Sequence, residues 1–205
     1  MISLKIRDKE NKIKFSLVDK QIEHIYNDTF APGDYAEVVC GSDFLKISFD
    51  ESQIPSIVYV PESKLIYRFP CGNEYLAYNK TSWQRNTHQI VINEIGDKEI
   101  YSKRNLALNS LDKTDNQYFF PHAYASFVTR NEPVFEARNA IDGVIENSCH
   151  GEYPYHSWSA GAKTDMDFSL DFGKKVEIEK ILFYLRADFP HDTYWDSLSV
   201  IFDDK

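Results

Sequence analysis

Along most of the first hundred residues, apolar side chains recur at every second position, and turn-forming residues interrupt the runs about every ten residues. Ile2, Leu4 and Ile6 alternate with polar neighbours, as do Ile13, Phe15 and Leu17, with the polar stretch Asp8-Lys-Glu-Asn-Lys12 between them. A period of two places alternate side chains on opposite faces of an extended strand; wound as a helix, the same residues would not share a face. The first two runs therefore read as a hairpin. Ala31-Pro-Gly-Asp34 reads as a turn, and further strand-like runs follow at 35–40, 44–49, 56–60, 65–69 and 88–95. No long stretch carries a helical stripe. Strands at this spacing predict an all-β chain whose first half is a β-sandwich.

Composition supports this reading. Thirteen Tyr, fourteen Phe and three Trp make up 15 % of the 205 residues. Flat rings suit a pleated surface, and they also suit sugar-binding surfaces, where a ring stacks on a pyranose face. Lys and Arg number 23 against 32 Asp and Glu, a net charge of −9. Nucleic-acid binding is not expected, because it needs a cationic footprint to displace counterions. Docking on an anionic membrane is disfavoured for the same reason. No run approaches the roughly 18 apolar residues of a membrane helix. The opening Met1-Ile-Ser-Leu-Lys-Ile-Arg7 lacks the apolar stretch of a signal peptide, so a cytoplasmic location is expected. Cys40, Cys71 and Cys149 are widely separated and odd in number, which is neither a disulfide framework nor a zinc motif.

The polar stretch 96–118 is the best boundary, dividing the chain into 1–101 and 102–205. The second part is again strand-like at 166–172, 176–185 and 198–202, with 136–141 as one helical turn. Within it, Asn105-Leu-Ala-Leu-Asn109, Ala137-Arg-Asn-Ala-Ile-Asp-Gly143, Ser157-Trp158, Asp167-Phe-Ser-Leu-Asp-Phe-Gly173 and the apolar run from Val176 to Leu185 fall in one order. In that order residues 104–202 resemble the discoidin family, also called coagulation-factor type C domains. Carbohydrate-binding modules of family 32 belong to the same galactose-binding-like group. The resemblance implies an antiparallel jelly roll and a carbohydrate ligand. It also implies a structural Ca2+ near the Asp142-Gly143 turn, with Asp142 as side-chain ligand and backbone oxygens near Arg138 and Asn147. The alternative for Asp142 is a plain turn residue. The family pattern is expected to continue through further strands beyond Ile201-Phe-Asp-Asp-Lys205, so either the chain is truncated, or strands of the first half complete the sheet. An uncovered sheet edge would be a surface for self-association or for a protein partner.

Two segments depart from that family pattern and concentrate the chemistry: His150-Gly-Glu-Tyr-Pro-Tyr-His-Ser-Trp158 and Arg186-Ala-Asp-Phe-Pro-His-Asp-Thr-Tyr-Trp195. Pro121-His122 adds a third polar, aromatic loop. Loops held by a rigid sandwich are where function gathers. Tyr155, Trp158 and Trp195 are candidates for stacking on a sugar ring. Arg186 offers a fork of donors, Asp188 and Asp192 are acceptors, and His122, His150, His156 and His191 add hydroxyl partners. The opposing reading makes Trp158 and Trp195 core plugs and pairs Arg186 with a carboxylate. A metal-dependent enzyme is the alternative function, since these histidines, with Asp188, Asp192 or Glu152, are transition-metal ligands or general bases by type. Their spacing fits no metal template, and no nucleophile elbow or phosphate loop is present. A non-catalytic carbohydrate-binding protein is the favoured expectation. His24 and His88 fall within strand-like runs and are expected to be structural.

Overall fold

The computed structural model describes residues 1–161, 163–186 and 195–202. It is built mostly of strands in antiparallel sheets, with few and short helices, in keeping with the all-β expectation. Strands β1 (Ile2–Arg7), β2 (Ile13–Asp19), β4 (Tyr35–Val39) and β7 (Lys64–Arg68) form one sheet in the order β2-β1-β4-β7. Strands β3 (Gln21–Tyr26), β8 (His88–Glu94), β5 (Phe44–Ser48) and β6 (Ser56–Tyr59) form a second in the order β3-β8-β5-β6. The third sheet is a pair, β9 (His122–Ala125) with β10 (Phe168–Asp171).

The alternation read from the sequence decides which faces are buried. Ile2, Leu4 and Ile6 on β1, Ala36 and Val38 on β4, and Leu65 and Tyr67 on β7 point inward from the first sheet. Ile22, Leu45, Ile47, Val58, Ile90 and Ile92 do so from the second. All join one apolar cluster with Phe30, Phe49, Phe69 and Trp83. Complete burial of a side chain of this size contributes roughly 1.5–3 kcal/mol. The first hairpin closes because the Asp8 carboxylate accepts the amides of Glu10 and Lys12, both at 2.9 Å, while Asn11 turns through a positive φ of 69°. Strand β3 is an addition to the predicted runs. It follows β2 after Lys20 alone, and its inward residues are Ile22 and Tyr26.

The second part of the chain packs on the first. Leu111 and Phe119 belong to the main apolar cluster. The Ser110 amide donates to the Ser56 hydroxyl at 2.9 Å, and Tyr59 and Phe120 exchange backbone hydrogen bonds at 2.8 and 2.9 Å. A smaller cluster of Ala123, Ala137 and Ile141 is covered by Trp158, Phe168 and Leu170. The stretch 96–118 contains a single helical turn, α1 (Asp97–Ile100). The helical turn expected at 136–141 is present as the 3-10 turn Ala137–Ala140.

The strand runs expected at 176–185 and 198–202 are not strands. Extended backbone becomes a ladder only when a neighbour offers its N–H and C=O groups. Here the apolar side chains face solvent: Leu182 is 59 % exposed and Ile201 is 91 % exposed. Among the described residues, no helix is long and apolar enough to cross a membrane.

Candidate functional site

Two irregular segments meet where the parts of the chain join. The first starts at the 3-10 turn Gly72–Ala77. This turn is closed at its start by the Glu74 carboxylate, which accepts the Cys71 amide at 2.8 Å. Gly72 enters it at a φ of +58°, where a side chain would be strained. The turn leaves Tyr75 half-buried and sets Ala77 and Tyr78 in the core. The second segment is 150–158. It is held by the Gly151 amide donating to the Tyr155 carbonyl at 3.2 Å and the Tyr155 amide donating to the Glu152 carbonyl at 2.9 Å. The Tyr153-Pro154 peptide is cis. The Tyr153 amide then donates to the Leu76 carbonyl at 2.8 Å, tying one segment to the other.

Between them lies an open cleft of about 100 Å³, lined by Tyr75, Leu76, Tyr78, Lys80, Gln84, Glu152 and Tyr153. Three phenol rings line it with Leu76, and an ammonium, an amide and a carboxylate add polar groups. The Lys80 ammonium sits 3.9 Å from the Glu152 carboxylate, with both side chains largely exposed. An exposed pair of this kind has little hold on its geometry, so both groups are free to turn toward a ligand. Burial pushes the phenol pKa of Tyr75 and of Tyr78 upward, keeping both as neutral hydroxyls.

Below the cleft runs a buried polar chain. The Arg138 guanidinium lies 4.6 Å from the centre of the Tyr78 ring. Its Nη2 is 3.6 Å from Asp142 Oδ2. The same oxygen meets His156 Nε2 at 2.5 Å, and the His156 ring stacks on Tyr153 at 5.4 Å between centres. Burial works against the charge on Arg138, but Tyr78, Asp142, Tyr67 and Asp112 together offset it, and its pKa is held above the ordinary guanidinium value. Arg138 Nε also donates to the Asp112 carbonyl at 2.8 Å, and Nη1 to the Asn139 side chain at 2.9 Å.

The sequence-derived site residues are distributed unevenly around this cleft. His156 lies beneath it, and Tyr155, half-buried, follows the cleft residue Tyr153 in the same loop. His150, half-buried, begins the loop. Trp158 caps the smaller apolar cluster, donates to the Phe127 carbonyl at 3.0 Å and packs on Phe168. His122 is buried against Asp112 at 2.6 Å. Arg186 and Trp195 are half-buried. The carbonyl of the neighbouring Leu185 accepts from the Asn147 amide group at 3.3 Å. Asp188, His191 and Asp192 lie outside the described residues. Tyr75, Tyr78, Lys80 and Gln84 were not picked out from the sequence. The signal there was weak, an aromatic and polar stretch between Cys71 and Trp83 that alternates with neither strand nor helix period.

The groups facing Asp142 are donors. His156 Nε2 and the Arg138 guanidinium face Oδ2, and Oδ1 accepts the Val144 amide at 2.9 Å. A Ca2+ shell is made of oxygens, so this arrangement does not fit that ion. Among the described residues, no three His, Cys, Asp or Glu side chains converge as a metal site. His88, expected to be structural, is fully buried and bonded to Asp50 at 2.7 Å, and His24 stacks on Phe15.

Compared with known proteins, the chain matches no family model, no curated protein and no solved structure.

Proposed function

We propose that the chain is a non-catalytic carbohydrate-binding protein, with a β-sandwich in its first half and a discoidin-like unit after it. The observation that carries this reading is the cleft between 72–84 and 150–158, where the rings of Tyr75, Tyr78 and Tyr153 stand beside Lys80, Gln84 and Glu152. A pyranose presents apolar C–H faces for stacking and a belt of hydroxyls that need donors and acceptors. The half-buried rings of Tyr75 and Tyr153 meet the first requirement, with the buried Tyr78 ring as the floor beside them, and the ammonium, amide and carboxylate meet the second. The opposite charges of Lys80 and Glu152 favour a neutral sugar over an acidic one. The cleft is small and open, so a single site is expected to bind weakly, with a Kd near 1 mM and about −4 kcal/mol of binding free energy.

A glycan-array screen of the full chain, followed by titration with the best neutral glycoside, tests the reading. Tyr153→Ala and Tyr75→Ala are expected to weaken binding about tenfold each, equivalent to about 1.4 kcal/mol. Binding that survives both substitutions removes the cleft from consideration, and a folded protein that captures no glycan overturns the reading.

A protein partner is the second reading. It is favoured by the exposed apolar side chains of 176–185 and 198–202, among them Leu182, Phe183, Tyr184 and Ile201. Contiguous exposed apolar surface marks interaction sites. Light scattering across a concentration series tests for self-association through it.

A further inference from the structure

The two aromatic walls of the cleft belong to segments far apart in sequence, yet both touch the same buried chain of polar groups. Tyr78 stands over the Arg138 guanidinium, and Tyr153 stacks on the His156 imidazole. Asp142 joins the two, 3.6 Å from Arg138 and 2.5 Å from His156. Arg138 and His156 are each 4 % exposed and Asp142 is 5 % exposed. None of the three lines the cleft. Burying a guanidinium, a carboxylate and an imidazole is costly, and apolar side chains of the same volume often serve stability as well or better. What apolar side chains cannot supply is a fixed direction for a planar group, which charge-assisted hydrogen bonds do supply.

We infer that Arg138, Asp142 and His156 are positioning residues that set the separation and tilt of Tyr78 and Tyr153, and so the fit of the cleft to its ligand. This rests on the reading of the cleft as a sugar site. The guanidinium, held by its hydrogen bonds to the Asp112 carbonyl and the Asn139 side chain, orients Tyr78; the Asp142 carboxylate pairs with it electrostatically at 3.6 Å and hydrogen-bonds the imidazole, and the imidazole orients Tyr153. The Tyr153 amide bond to Leu76 holds the backbone ends of the walls together but leaves ring direction open. The chain of side chains closes that freedom. Because His156 uses Nε2 toward Asp142, a side chain that keeps a donor at that distance keeps the chain intact. Gln does this, and Leu of comparable size does not.

The test compares the full-length wild type with His156→Gln, His156→Leu and Arg138→Lys. Tyr rings are isotopically labelled for NMR and assigned through Tyr78→Phe and Tyr153→Phe, and methyl β-galactopyranoside and methyl β-glucopyranoside are titrated as neutral probes. Wild-type protein is expected to show nuclear Overhauser contacts from Tyr153 to the His156 ring and from Tyr78 to the Arg138 side chain. H156Q is expected to keep the Tyr153 ring signals and bind within about threefold of wild type, whereas H156L shifts those signals and binds at least about tenfold more weakly. R138K moves the Tyr78 signals first. Unchanged ring signals and affinity in folded H156L and R138K overturn the inference. Where a variant does not fold, absence of the two wild-type contacts overturns it instead. The underlying sugar reading fails separately: wild-type protein that shows both contacts and binds neither probe, nor any glycan on the array, leaves the positioning chain standing and removes the ligand class.

Discussion

Asp112 is the residue whose loss tests most directly how the second part of the chain is held. It is fully buried, and its carboxylate accepts from His122 Nδ1 at 2.6 Å, the Ala123 amide at 2.9 Å and the Asn116 amide group at 3.1 Å. Its backbone carbonyl receives Arg138 Nε at 2.8 Å, so one residue ties β9 to the 3-10 turn Ala137–Ala140. Asp112→Ala removes the acceptor and leaves His122 Nδ1 and the Ala123 amide buried without it. Each orphaned donor costs about 1–3 kcal/mol, so the two together cost about 2–6 kcal/mol. For a chain of this length, 1 kcal/mol moves Tm by about 2–4 °C, which places the drop between about 4 and 24 °C. Thermal melting followed by circular dichroism reads it. Asp115→Ala is the control. That carboxylate is 58 % exposed and 3.6 Å from Arg68, and exposed pairs contribute about 0–1 kcal/mol. A D112A melt within about 2 °C of D115A would refute the assignment of Asp112 as a buried anchor.

Other expectations follow from the same geometry. Burial opposes ionisation of Asp50, but hydrogen bonds from His88 and Ser52 outweigh it and hold the carboxyl at about 2. Its folded value lies below the ordinary one, so its contribution is complete above about pH 4 and is lost as pH falls toward 2. The stability difference between wild type and Asp50→Asn, from urea melts, should therefore shrink by about 2 kcal/mol over that window. An unchanged difference would show that Asp50 is not held low. Gly143→Ala should cost about 1–3 kcal/mol, because the backbone there has a φ of +90° and a Cβ would stand 2.7 Å from Leu108 Cδ1 and 2.8 Å from Ile54 Cδ1; a neutral melt would contradict that strain. Leu45→Ala, at a fully buried position on β5, should lose about 2–5 kcal/mol, and a smaller loss would indicate that the core collapses around the cavity.

The first eight strands show how far a local pattern reaches. Seven of them could be read from alternation because one face of each sheet is buried and the other is not, and a period of two records that difference directly. Strand β3 escaped because Lys20 alone separates it from β2, too short a break for a turn signal. The site was only half legible. Tyr155, His156 and the loop around them could be found by composition, since Pro and Gly exclude regular structure there. The facing wall could not, because Tyr75, Tyr78 and Gln84 carry no period, and their role arises from which loop lies opposite. The runs at 176–185 and 198–202 show the converse error: apolar runs that, among the described residues, have no neighbouring strand to complete a ladder.

Sequence by itself determined seven of the first eight strands, the inward faces of the two large sheets and the turns at Asp8 and Ala31, because each depends on residues close together in the chain. Only tertiary structure decided that Asp142 faces Arg138 and His156 instead of an oxygen shell, that Trp158 caps an apolar cluster, and that Tyr78 and Tyr153 face one cleft. Those outcomes depend on contacts between segments tens of residues apart, and the cost of leaving a buried donor or charge without a partner selects among them.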